Sequence, residues 1–149
     1  MSSFPSNHRK RFGRAIAVPE KEFDLSLISV LVAAEDDPDT DIVRTMGKIA
    51  LLRDRVRGKL TRYRTPYDVL HAVNEVMFEE EQFTGNRRNY YDPQNSLLPA
   101  VLSRKLGIPI TLSIIYRDLA NAGGPPLFFI TSLQRSPVCN VLWSVSVRK

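Results

Sequence analysis

Residues 89–116 read NYYDPQNSLLPAVLSRKLGIPITLSIIY, two helical patterns that abut with only Gly107 between them. Asn95 or Ser96 is placed to cap the first pattern, Leu97 to Leu106, with Pro99 tolerated in its first turn and Gly107 as its left-handed stop. Pro109 opens the second, which runs to about Asn121 and ends at Gly123-Gly124. Along it Ile110, Leu112, Ile114, Ile115, Tyr116 and Leu119 leave only a thin polar edge at Arg117 and Asp118. A helix apolar on so many sides must be wrapped by other elements, so this one is expected at the centre of the core.

Further helices are predicted upstream. Phe23, Leu27, Ile28, Leu31 and Val32 recur at helical spacing after Asp24 as a cap, and the run stops at the acidic turn EDDPDTD. Asp41 caps an amphipathic helix to about Leu60 or Arg62, with Ile42, Met46, Ile49, Val56 and Leu60 on its apolar face. Thr65-Pro66-Tyr67-Asp68 is a close variant of the capping box and opens a helix that buries Leu70, Val73 and Met77. Residues 83–93 are rich in turn formers and predict an irregular loop. Downstream, Leu127 to Ile130 and Val138 to Val147 have strand-like composition. The chain therefore reads as mainly α, about five helices with one or two short C-terminal strands. It divides into a disordered basic tail over 1–22, a helical core over 23–124, and a tail over 125–149 that is β or poorly ordered.

A chain of 149 residues with 43% hydrophobic content supports one core. The longest uncharged run, Leu119 to Gln134, is too short and too broken by Gly and Pro to cross a bilayer, and the N-terminus lacks the apolar run of a secretory signal. The cytoplasm is the expected compartment. A single cysteine, Cys139, forms no internal disulfide and has no metal-site partners, and no phosphate-binding Gly-rich loop is present, so no cofactor or metal is expected.

The net charge of +5 is unevenly spread. Residues 20–41 carry eight acids against Lys21, and residues 44–64 carry eight bases against Asp54. Arg44, Lys48, Arg55, Lys59 and Arg62 form one stripe on the amphipathic helix. It is expected to be a solvated face that partly answers the acidic turn. An acidic partner, or RNA bound through residues 44–62, is the alternative, weakened because no aromatic residue in the stripe can stack a base.

The stretch YYDPQNSLLPAVLSRKLGIPITLSIIYRDLA resembles the SirB-type transglutaminase-like family of bacterial proteins, which is related to a domain in an F-box protein. The match is carried by Tyr91, Asp92, Pro93, Asn95, Ser96, Gly107, Ile108, Pro109, Ile110, Thr111, Leu112 and Ser113, and weaker similarity extends it from about Phe23 to Ala122. The resemblance implies the N-terminal part of an α+β transglutaminase-like fold. It also implies that the helix opened by Pro109 is the one that, in transglutaminases and papain-like proteases, carries the nucleophilic cysteine at its N-terminus, where the helix dipole and a histidine favour the thiolate.

Pro109, Ile110, Thr111 and Ser113 occupy that first turn here, and none is a cysteine. An alcohol in that place needs a well-placed base. His8 lies in the basic tail, and His71, with Glu75 one turn on, reads as a helix-flank residue. The Gly-His-Phe element with which the family continues is missing after Gly124, and no Asp or Glu occurs from Leu119 to the end. A reading-frame shift near Pro125 is favoured over a divergent or truncated member. Cys139 reads as a small hydrophobe. Asp92, Asn95 and Thr65 have ordinary roles in turns and caps. Tyr91, Asp92, Asn95, Thr111 and Ser113 are the candidate lining of a remnant cleft for a peptide or small ligand.

The expectation is a catalytically inactive module that binds an unidentified protein or peptide, away from membranes, with self-association open as a way to cover exposed core. The alternative is a peptidase or amidase of the same superfamily that uses Thr111 or Ser113.

Overall fold

Three helices start where side chains satisfy their free N–H groups. Asp24 accepts from Leu27 N at 2.9 Å and Asp41 from Arg44 N at 2.9 Å. Thr65 and Asp68 close a full capping box, Asp68 Oδ2 accepting from Thr65 N at 2.7 Å. The computed structural model describes residues 7–61 and 65–123. They form α1 (Asn7–Ala15), α2 (Leu25–Asp36), α3 (Ile42–Lys59), α4 (Pro66–Asn74), α5 (Leu98–Arg104) and α6 (Pro109–Gly123). Two short strands, β1 (Thr84–Gly85) and β2 (Leu106–Gly107), pair in parallel with Thr84 beside Leu106 and Gly85 beside Gly107. The fold is mostly helical, as the periodicity predicts, and its minimal sheet lies elsewhere than expected, with β1 inside the stretch 83–93 that reads as an irregular loop. The strand segments predicted after Leu127, the tail over 125–149, Cys139 and Arg62 lie outside the described residues.

Helix α6 is central, packing against α2, α3, α4 and α5. Its buried residues are Thr111, Leu112, Ile115, Tyr116, Leu119, Ala120 and Gly123. Ile110 departs from expectation. It is 65% exposed, because Pro109 and Ile110 lie at the solvent end of the first turn. The polar edge is internal: Arg53 of α3 grips Asp118 at 2.6 and 2.8 Å, and Ser26 of α2 donates to Asp118 Oδ2 at 2.9 Å. One carboxylate, half-buried and hydrogen-bonded from two sides, thus ties three helices together. Tyr116 is 1% exposed and donates to Asn74 Oδ1 at 3.0 Å, and burial pushes its phenol pKa up to about 12.

Two elements differ from prediction upstream. Residues 7–15 of the expected disordered tail form α1, whose Phe12 and Ala15 pack on the core while Arg9 pairs with Glu35 at 3.0 Å. Both anchors combine apolar burial with opposite charge, which a reading of charge alone passes over. Helix α2 buries Val30, Leu31, Ala33 and Ala34 and leaves Val32 51% exposed, because small alanines let neighbours approach on a face the larger residues do not define.

The largest difference lies at the junction of the two helical patterns. Helix α5 ends at Arg104, two residues early, and Lys105 takes the left-handed conformation (φ 60°) that the sequence assigns to Gly107. Gly107 has no positive φ. The early stop frees residues 106 and 107 to extend, so that Thr84 N donates to Lys105 O and Asn86 N to Gly107 O, both at 2.9 Å. Gly107 is needed for space, since a Cβ there would stand 2.9 Å from Thr111 Oγ1 and 2.9 Å from Val101 Cγ1. Helix α4 also runs on into a π-helical turn, Glu75–Glu80, that the sequence does not announce.

Chemical denaturation checks the reading of the two glycines. Gly107→Ala is expected to destabilise by about 1–3 kcal/mol through overpacking. Gly47→Ala, in the interior of α3 with nothing within 4 Å of the added Cβ, is expected to stabilise by about 0.5–1 kcal/mol. A neutral Gly107→Ala would show that the junction yields easily.

Candidate functional site

The entry to α6 is built around two buried polar residues. Thr111 is 3% exposed and Asn95 is fully buried. Thr111 Oγ1 accepts from Ile108 N at 3.2 Å, which satisfies a free N–H of the helix start, and donates to Asn95 O at 2.8 Å. The Asn95 side chain is equally occupied: Nδ2 donates to Asn89 O at 2.8 Å and Tyr90 O at 3.0 Å, and Oδ1 accepts from Asn86 Nδ2 at 3.0 Å. Asn86 Oδ1 in turn accepts from Asn89 N at 3.1 Å. Asn95 therefore does not cap α5, whose N-cap is Leu97 without a side-chain bond. It lies in the short 3-10 turn Pro93–Asn95 and fastens the loop before it to the helix after it.

Asp92 starts that turn by accepting from Gln94 N at 3.0 Å and pairs with Arg104 at 2.8 Å. The Gln94 N–H, and after it the Arg104 guanidinium, hold its carboxyl below the ordinary aspartate range. The loop surface is open: Tyr90 is 51% and Tyr91 92% exposed, their rings edge to face at 5.4 Å. Ser113 is half-buried and, about 200° further round α6 than Thr111, lies on another side of the helix. Of the five residues singled out from sequence, Asn95 and Thr111 are joined directly, Asp92 adjoins them through the 3-10 turn, and Tyr91 and Ser113 face elsewhere.

Neither histidine faces this entry as a partner of Thr111, whose hydroxyl is held by Ile108 and Asn95. His71 is exposed on α4, and His8 stands on α1 with an Nδ1 that is buried and unbonded. Among the described residues, no group of three or more His, Cys, Asp or Glu is gathered to hold a metal ion, and no helix is long and apolar enough to cross a membrane.

The basic stripe has a different answer from the one its charge pattern suggests. Arg55 pairs with Glu80 and Glu81, Lys59 with Glu75 and Glu80, and Lys105 with Glu81. The π-helical turn after α4 supplies Glu75 and Glu80, and Glu81 follows it, so Arg55 and Lys59 of the stripe are met by these acids and not by the turn after α2. Lys59 and then Arg55 lower the Glu80 pKa, Lys105 and then Arg55 lower that of Glu81, and the raised Arg55 and Lys59 values are the reciprocal effect. Beside this cluster an open groove of about 750 Å³ runs between α3 and α5, floored by Leu51, Leu52 and Leu102. None of the five predicted site residues lines it. A chain-wide pairing of this kind cannot be located by spacing, although the run Glu79-Glu80-Glu81 is visible as a place where bases would be welcome.

Thr111→Val removes a hydroxyl that serves the buried Asn95 carbonyl and the half-buried Ile108 N–H and is expected to cost about 1–3 kcal/mol of stability, whereas Ser113→Ala is expected to stay within about 0.5 kcal/mol. Acid titration of the melting temperature gives a second check. Glu80 and Glu81 have folded pKa values below their ordinary 4.5, so their contribution is complete above that value and is lost as pH falls through the depressed folded values. The melting temperature should hold steady near neutrality and drop on acidification below about pH 4.5, with a shallower drop in Glu81→Gln.

A family model described as the transglutaminase-like superfamily matches residues 44–130, which run from α3 through the whole of α6. A UPF0162 protein of Xylella fastidiosa is 30% identical over 110 residues, 74% of this chain and 39% of that protein. A UPF0162 protein of Vibrio cholerae is 28% identical over 91 residues, 61% of this chain and 34% of that protein. F-box only protein 21 of Mus musculus is 42% identical over 59 residues, 40% of this chain and 9% of that protein. The chain thus spans 39% or less of the length of these relatives. No solved structure matches it significantly. With more than half of its residues under one family model and the predicted core helix in place at the centre, the chain belongs to the transglutaminase-like superfamily.

Proposed function

We propose that this chain is a SirB-type transglutaminase-like module of the cytoplasm that acts by binding a protein or peptide, without covalent catalysis. The observation that carries the reading is the state of the α6 entry. Where catalytic members of the superfamily keep a thiolate, this helix has Thr111, 3% exposed, its oxygen held between Ile108 N and Asn95 O. A nucleophile needs an accessible lone pair and a base within hydrogen-bond reach. Thr111 has neither among the described residues, since its proton goes to a backbone carbonyl.

The same bonds support a binding role. They hold the loop over residues 86–92 in one conformation, with Asn95 and Thr111 beneath it, Asp92 fixed by Arg104 at its end, and Tyr91 standing outside. A surface held in place before it meets a partner loses less freedom on binding. Ser113, half-buried on another side of α6, is the residue left to a hydrolase reading, and the Ser113→Ala variant addresses it directly. The RNA reading is disfavoured because Arg55 and Lys59 are engaged by Glu75, Glu80 and Glu81.

The purified protein is expected to show no turnover of glutamine-containing acyl donors with an amine acceptor, nor of peptide amides. Turnover above background that is lost in Thr111→Ala or Ser113→Ala would overturn the binding reading and restore the hydrolase.

A further inference from the structure

We propose that the chain self-associates, the loop Arg88 to Tyr91 of one copy seating on the acidic turn Glu35 to Asp41 of a second. This deepens the binding-module reading by naming its partner, and it rests on that reading.

The loop has the composition of an interface centre. Tyrosine and arginine dominate the few residues that carry most binding energy, because they bring large contact area or forked donors with little loss of freedom. Here Tyr90 and Tyr91 stand exposed side by side, with Arg88 beside them, and Arg88 makes no ion pair among the described residues. The aromatic surface is not left over from loose structure. The fully buried Asn95 amide clamps the carbonyls of Asn89 and Tyr90, and Asp92 N closes the turn onto Asn89 O at 3.2 Å. An apolar ring 92% in water on so constrained a backbone is a surface prepared for contact.

The matching surface is on the same chain. Glu35 and Asp36 end α2, where the helix dipole disfavours negative charge, and Asp37, Asp39 and Asp41 follow at once. Glu35 is paired with Arg9, but Asp36, Asp37, Asp39 and Asp41 are exposed or at the surface with no ion pair among the described residues. Glu35, Asp36 and Asp37 thus crowd a helix end that disfavours them, whereas Asp41 is well placed as the N-cap of α3, and a cationic partner would relieve the first three. Among the described residues no ion pair joins Arg88 to the turn of its own copy, which leaves the two complementary surfaces open to a second copy. A nucleic acid fits the loop less well. Continuous strand binding tracks a cationic groove, and the neighbouring cations Arg104 and Lys105 are already paired with Asp92 and Glu81.

Sedimentation equilibrium at low and physiological salt tests the proposal on the intact chain, with circular dichroism melts confirming that each variant folds. The expected result is concentration-dependent self-association that weakens with salt and about tenfold or more in Arg88→Glu, in Tyr91→Ala, and in the double variant Asp36→Lys with Asp39→Lys. Mixing Arg88→Glu with the Asp36→Lys, Asp39→Lys variant should recover part of the association, because the reversed loop then faces the two introduced lysines while the unchanged Arg88 of the other copy faces a native acidic turn. Monomers at all concentrations, association indifferent to these changes, failure of the mixture to recover, or a single-stranded RNA oligonucleotide that binds through Tyr91 without self-association would each overturn it. The assays for turnover are separate, so loss of this proposal leaves the binding-module reading standing, and turnover would remove that reading whatever the oligomeric state.

Discussion

Everything near the candidate site depends on how a nearly apolar helix is allowed to carry polar groups into the interior. Helix α6 brings in the hydroxyls of Thr111 and Tyr116 and the carboxylate of Asp118, and burial without partners would cost each of them several kcal/mol. Each is answered from a different element: Thr111 by the backbone of Ile108 and Asn95, Tyr116 by Asn74 of α4, and Asp118 by Arg53 of α3 and Ser26 of α2. These bonds do more than offset desolvation. They are directional where apolar packing is not, so they fix the rotation of α6 about its axis relative to α2, α3 and α4. The loop that shows Tyr90 and Tyr91 is placed at one remove, through Asn95.

How much of this was legible in the sequence follows from the range of each interaction. Caps at Asp24, Asp41 and Thr65 act within three residues, and spacing finds them. The central place of α6 follows from its apolar girth. Asn95 was legible as a turn former but not as the buried clamp of residues 86–90, because that role needs α6 to press on the turn from a distance in sequence. Gly107 reads from the sequence as a left-handed stop, and the structure uses it differently. A glycine after a helical run ordinarily supplies a left-handed residue, but here Lys105 accepts that conformation and the glycine supplies room for Val101 and Thr111. The exchange accompanies the pairing of β1 with β2, and a two-residue parallel contact leaves no periodicity to detect.

Charge was the most misleading of the sequence features, and the reason is instructive. Net charge over a segment measures composition, whereas pairing depends on which helix faces meet. The basic stripe of α3 and the acidic turn after α2 are nearly adjacent in sequence and look complementary. The intervening geometry sends Arg55 and Lys59 instead to a π-helical turn some twenty residues further on. Glu80 and Glu81 thus meet Arg55 and Lys59 over α3, and the acidic turn keeps only the Arg9 pair at Glu35 among the described residues.

The transglutaminase-like ancestry of the fold gives the α6 entry a further meaning. A helix N-terminus concentrates unsatisfied N–H groups and positive potential, which is useful either to stabilise a thiolate or to anchor a neutral hydroxyl. The two uses exclude one another. A reactive sulfur must be reachable by substrate, and a capping oxygen must be withdrawn from it. Threonine suits the second use, since its branched side chain is stiff and its hydroxyl can accept from the helix while donating outward. Thr111 does this between Ile108 and Asn95, with Gly107 leaving room for the close packing of its side chain. The α6 entry thus positions the loop before it through Thr111 and Asn95, and uncovering the Thr111 oxygen would cost that loop its anchor.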